Sequence, residues 1–205
     1  KKLDSYYSQL ENEALKKVSK FKPGNEIKIA DSKQAGLENL FRNHFKNIER
    51  VTTEFTKNEL TGIFNKSDDL EKIRLLKLDK MNKYNIKYAK ELSVKQVKDY
   101  QDKIKDTLTN ALKTNPNLST RELKELVKHD TQSFKNVRIE ATSTTEATRV
   151  KNESKIELYK KMNLKKVRFI MTREKYLKKI NCKCELYNQK VFFINSPNLP
   201  SIPQH

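Results

Sequence analysis

Cys182 and Cys184 place two thiols two positions apart, and a histidine, His205, follows a proline-rich stretch. Thiolate sulfur and imidazole nitrogen are the donors zinc takes in structural sites. Cys182, Cys184 and His205 are therefore the candidate metal ligands, and zinc is the cofactor they would suit. A C-x-C pair and one histidine leave a tetrahedral ion one donor short. His44 and His129 lie in helix-patterned sequence and do not obviously complete it. The competing role for both thiols is as small buried apolar side chains. A disulfide between them would be strained, and the pair is unlike the framework of a secreted protein.

Glu146 and Arg149 stand at i and i+3 on a helical pattern, where opposite charges attract. A catalytic glutamate would need a second carboxylate, a nucleophile with its base, or a phosphate cradle beside it. The chain holds only three glycines and has no Gly-rich nucleotide loop. Its carboxylates are scattered along amphipathic helices, where a metal-dependent nuclease would cluster them. The expectation is a structural polar cluster of Glu146 and Arg149, joined by Arg138, with no catalytic residues and no enzymatic activity.

The densest charge lies between residues 160 and 183. Lys160, Lys161, Lys165, Lys166, Arg168, Arg173, Lys175, Lys178, Lys179 and Lys183 are interrupted by one acid, Glu174. Such a cluster releases counterions when it meets phosphates. It is mostly lysine, which makes point-charge contacts and reads base sequence poorly. The expected ligand is double-stranded DNA, bound without sequence preference; the alternative is a solvated face with no ligand. An AT-rich coding sequence would explain lysine in place of arginine. It explains the whole-chain excess of +18 less well.

The elements that must carry these residues follow from periodicity. Residues 4–20 read as an amphipathic helix with Tyr7, Leu10, Ala14, Leu15 and Val18 on one face, and Pro23-Gly24 ends it. From Ser32 to about Leu112 the helical pattern dominates. Leu37, Leu40, Phe41, Phe45, Ile48, Val51 and Phe55 form one stripe, continued by Leu60, Ile63 and Phe64. A turn near 65–69 leads to a second stripe from Ile73 to Leu112. Two long antiparallel helices packed on each other are expected. Ser119-Thr-Arg-Glu122 has capping-box spacing before a short helix, and 138–162 suggests a third substantial helix stopped by Asn163. Residues 167–171 and 191–194 are the strand candidates, with a helical turn at 173–179 and a chain reversal at Tyr187–Gln189 between them. The final ten residues hold three prolines and read as an extended arm.

Hydrophobic residues make up 35% of the 205 and charged residues 34%, a balance that favours exposed helices over a large core. The fold class expected is predominantly α-helical α+β: a long antiparallel helical hairpin, then a small module with a two-stranded antiparallel sheet. Three segments are expected, at 1–31, 32–115 and 116–205. No apolar run reaches the length of a membrane span or signal sequence, so a cytoplasmic origin and no membrane partner are expected. The start at Lys1 suggests part of a longer polypeptide.

Residues 135–205 resemble the C-terminal module of phage head-morphogenesis proteins, the Mu F-like minor head family. The resemblance is carried by Arg138; by Thr145, Glu146, Ala147, Arg149 and Asn152; by the strand at Lys166–Phe169; by Cys182 and Cys184 before Lys190–Ile194; and by Pro200, Pro203 and His205. The family's first cysteine pair is commonly spaced by two residues, and its members continue to a further pair. The resemblance implies a minor head protein of a tailed virus, in several copies inside the capsid near the portal vertex. The implied partners are portal protein, major capsid protein and the packaged genome, with host cytoplasm the place of assembly. The readings set against it are a virion-borne nuclease or toxin-like enzyme, and a basic helical nucleic-acid-binding protein unrelated to viruses.

Overall fold

A computed structural model of the chain describes residues 2–78, 83–170 and 186–200. Six α-helices are seen there: α1 (Lys2–Val18), α2 (Asp31–Thr61), α3 (Ser67–Leu75), α4 (Lys83–Thr114), α5 (Thr120–Ala141) and α6 (Ala147–Lys161). A π-helical turn occupies Thr142–Glu146, and two short strands follow, β1 (Lys166–Arg168) and β2 (Val191–Phe193). The strands pair antiparallel with Lys166 opposite Phe193 and Arg168 opposite Val191. The predominantly helical α+β class with a two-stranded sheet is thus borne out.

The chain divides into two compact units, Lys1–His44 with Lys83–Ser143, and Phe45–Asn82 with Thr144–His205. These units do not follow the expected boundaries at 31/32 and 115/116.

In the first unit the close helix pairs are α4 with α5 and α1 with α5. The long hairpin expected between the helices of 32–115 is replaced by α4 and α5, joined through the short turn at Asn115–Ser119. Their antiparallel course is fixed by Thr107 Oγ1 donating to Asp130 Oδ2 at 3.0 Å, by Arg138 on Asp99, and by Gln96 Nε2 donating to Thr142 Oγ1 at 3.3 Å. Ser119 caps α5 through a complete capping box: its hydroxyl accepts from the Glu122 N–H, and the Glu122 carboxylate accepts from the Ser119 N–H at 2.7 Å. The face of α1 named by its periodicity is buried throughout: Tyr7, Leu10, Ala14, Leu15 and Val18. Polar contacts hold α1 in register. Tyr7 donates its hydroxyl to Gln96, and Lys135 meets Glu11 at 3.3 Å, both side chains largely buried. Gly36 lets α2 pass α1 closely, because a Cβ there would lie 3.2 Å from the Tyr6 ring.

In the second unit a core forms from Leu60, Ile73, Leu76 and Leu158, flanked by Phe64, Leu78, Tyr159, Met162 and Leu164. Helix α3 ends at Leu75 because Leu76 turns extended, with ψ at 124°. The second stripe expected from Ile73 to Leu112 is therefore carried on two helices. Later in α2 the buried positions are Glu49, Thr52, Thr53, Thr56 and Leu60, while Val51, Phe55 and Ile63 are exposed. The expected apolar stripe is wrong at those three positions. The buried line follows helix geometry from Phe45 in steps of three and four and accepts threonines. The hydroxyl of Thr53 satisfies itself on the Glu49 carbonyl at 2.8 Å.

The short helix after Ser119 and the separate helix at 138–162 are joined in one helical run, α5, the π turn and α6. Asn163 ends it as expected. Its φ is +55°, and the Asn163 and Leu164 N–H groups donate back to Lys160 and Tyr159 carbonyls, which is a Schellman ending.

Candidate nucleic-acid interface

The last turn of α6, the Schellman loop and β1 follow one another within ten residues. They bring Lys160, Lys161, Lys165, Lys166 and Arg168 to the surface of the second unit, all exposed. The Asn163 turn matters here. A left-handed residue reverses the chain at once, so the two helix-end lysines and the strand cations are separated by only a tight loop. Within β1 the alternation puts Lys166 and Arg168 on the same outer face while Val167 is half-buried.

Neutralising partners decide whether such cations remain available. Among the described residues, Lys160, Lys165, Lys166 and Arg168 have no acidic partner within ion-pair distance. Lys161 is engaged differently, its ammonium donating to the Lys77 carbonyl at 2.7 Å. Elsewhere lysines are matched to acids. Lys155 pairs with Glu59 at 2.7 Å and also lies 5.0 Å from the centre of the Phe55 ring. The same Glu59 accepts from the Tyr159 hydroxyl at 3.3 Å, and burial, with Glu59 adding to it, pushes that phenol up to about 12. Glu59 is thus committed to Lys155 and Tyr159, and among the described residues Lys160, Lys165, Lys166 and Arg168 are left without an acidic partner.

One cation escaped the sequence reading. Lys190 immediately precedes β2, and its carbonyl accepts from the Phe169 N–H at 2.9 Å, which brings an exposed lysine onto the hairpin. The signal was present in the expected pairing of the two strands; their register supplies it. Lys72 and Lys77 likewise line, with Lys161, Leu75, Leu76 and Met162, an open depression of about 280 Å³.

The remaining expected cations, Arg173, Lys175, Lys178, Lys179 and Lys183, lie outside the described residues. So do Cys182, Cys184 and His205, together with the helical turn expected at 173–179. Among the described residues no three His, Cys, Asp or Glu side chains converge on a metal position. Of the expected polar cluster, Arg138 belongs to the first unit. There it binds Asp99 and lies 5.1 Å from the Phe134 ring centre. Glu146 and Arg149 are half-buried at the π turn and the start of α6. No described helix is long and apolar enough to cross a membrane.

The reversal expected at Tyr187–Gln189 is present, with Gln189 at φ +64° and Lys190 N–H donating to the Tyr187 carbonyl at 3.0 Å. The start of the proline-rich tail is folded into turns in place of the expected extended arm. Ser196 N–H donates to Phe193, and Leu199 N–H donates to Ser196. No protein-family model, no curated protein and no solved structure matches the chain.

Proposed function

We propose that the chain is a non-enzymatic minor head component of a tailed virus that meets packaged double-stranded DNA through the basic end of its second unit. The observation that carries the DNA contact is the group Lys160, Lys165, Lys166 and Arg168, exposed and without acidic partners among the described residues. Cations already matched to carboxylates gain little from a phosphate. Unmatched ones release condensed counterions from the duplex, and that release drives binding. The contacts are lysine-rich, and lysine meets phosphate as a point charge, so they follow the DNA backbone and not its sequence. The head-protein part of the proposal rests on the resemblance of residues 135–205 to Mu F-like proteins. Portal protein or major capsid protein would be the protein partner, with several copies in each virion.

A charge-matched comparison tests the DNA contact. One variant changes Lys160, Lys165, Lys166 and Arg168 to glutamine; another changes the exposed α4 lysines Lys83, Lys90, Lys98 and Lys113. Both lose the same formal charge. The first is expected to lose at least about tenfold in affinity for a duplex of arbitrary sequence at moderate salt, and the second much less. Equal losses would mean that overall charge, with no particular surface, accounts for the binding. Co-purification with a portal ring tests the assembly role.

A further inference from the structure

The hairpin carries a second feature that phosphate attraction alone does not use. Its alternation puts Lys166, Arg168, Val191 and Phe193 on one face, as two cross-strand pairs of a cation with an apolar side chain. That face is exposed among the described residues. Phe193 is 58% exposed and Val191 52%. A buried Phe is the ordinary outcome, and here the half-buried Phe192, which packs edge-on against Tyr187 at 5.9 Å, follows it more closely. Phe193 instead turns outward, with the Lys166 ammonium 4.9 Å from its ring centre. An exposed ring beside an arginine and a lysine, continuous along the chain with the unpaired Lys160 and Lys165, matches what unpaired nucleic acid needs: a π-face for a base and cations for the adjoining phosphates. A duplex hides its base faces and has no use for the ring.

We infer that this hairpin face binds single-stranded nucleic acid, an unpaired base stacking on Phe193 and neighbouring phosphates meeting Lys166 and Arg168. The inference rests on the reading that the second unit meets nucleic acid, and it adds the form of strand that the hairpin selects. Val191, on the same face, gives the flanking sugar and base an apolar neighbour. Because every base has a π-face, preference for base identity is weak.

The test uses the full chain and two fluorescein-labelled probes of equal length, an oligothymidine and a mixed-sequence duplex. Affinity is followed by anisotropy at low salt, where phosphate contacts hold both probes, and again at salt high enough to suppress most of the phosphate contribution. Wild type is expected to favour the single strand. Phe193→Ala is expected to lose roughly 5- to 100-fold on the single strand while its duplex affinity stays within about twofold. Phe193→Tyr keeps the ring and is expected to keep the binding. Circular dichroism on each variant checks the fold, which an exposed side chain does little to hold. If Phe193→Ala binds the oligothymidine as wild type does while duplex binding persists, the hairpin inference fails and the broader DNA reading stands. If neither probe binds wild type even at low salt, both fail. Mixed phosphatidylserine–phosphatidylcholine vesicles provide the remaining arm: Phe193-dependent binding to them, with the oligothymidine indifferent to Phe193, would assign the face to a lipid surface and overturn the inference.

Discussion

At the scale of single residues, the first unit depends on polar groups buried between helices. Lys135 is only 5% exposed at its side chain, and Glu11 accepts from both Lys135 and the Thr131 hydroxyl. Removing the carboxylate leaves an ammonium in an apolar setting. Glu11→Gln is expected to cost about 3 kcal/mol, read from urea unfolding, whereas Glu11→Leu with Lys135→Met is expected to recover most of that. Thr131 retains its bond to the Val127 carbonyl at 2.8 Å in either variant, so it does not confound the comparison. A double variant as weak as the single one would mean that the stranded ammonium is not the source of the loss. The capping box offers a pH test. Hydrogen bonds from the Ser119 hydroxyl, then from its N–H, hold the Glu122 carboxyl below its ordinary value of 4.5. A depressed carboxylate stabilises the fold above that value, and the contribution is lost as pH falls through the lower folded value. Ser119→Ala is expected to lower the melting temperature by roughly 2–4 °C at neutral pH, a gap that narrows below pH 4.5. The box was legible in the sequence because its partners are three residues apart. The Glu11–Lys135 pair was not, since nothing in either helix names a partner more than a hundred positions away.

At the scale of elements, the sequence revealed where helices exist better than what they pack against. The inner face of α1 and the stop at Asn163 were legible because they depend on local spacing and on one residue's tolerance of left-handed backbone. The pairing of α4 with α5 was not, because an amphipathic stripe specifies a face and leaves the partner open. The late part of α2 shows a second limit. Val51 and Phe55 attract attention by residue type, yet the buried line runs through Thr52, Thr53 and Thr56. Thr53 is buried with its hydroxyl returned to the Glu49 carbonyl one turn back, whereas the Thr56 hydroxyl has no partner among the described residues. In α6 the apolar anchor is Leu158, fully buried with Leu60, Ile73 and Leu76. Leu158→Ala is expected to destabilise the second unit by about 2–5 kcal/mol. Since the two helix-end lysines and the hairpin follow directly from this helix, DNA affinity is expected to fall as that unit unfolds. Hydrogen exchange resolved along the chain would check it: protection is lost first around residues 150–170. Loss spread evenly over α4 and α5 as well would contradict a separate core.

At the scale of the whole molecule, the functional reading rests on where an excess of +18 resides. Several acids in the helices pair with a basic residue a turn away, such as Glu38 with Arg42 and Asp99 with Lys95. Among the described residues Lys160, Lys165, Lys166, Arg168 and Lys190 lack such an acidic partner, and their number sets a measurable quantity. Lys160, Lys165, Lys166, Arg168 and Lys190 would each displace a condensed counterion from duplex DNA. The most direct measurement is therefore the equilibrium affinity for a mixed-sequence duplex between about 50 and 200 mM salt. The logarithm of affinity is expected to fall linearly against the logarithm of salt concentration, with a slope of about −4 or steeper. A flat profile would contradict the account, because it would mean that these lysines do not meet phosphates.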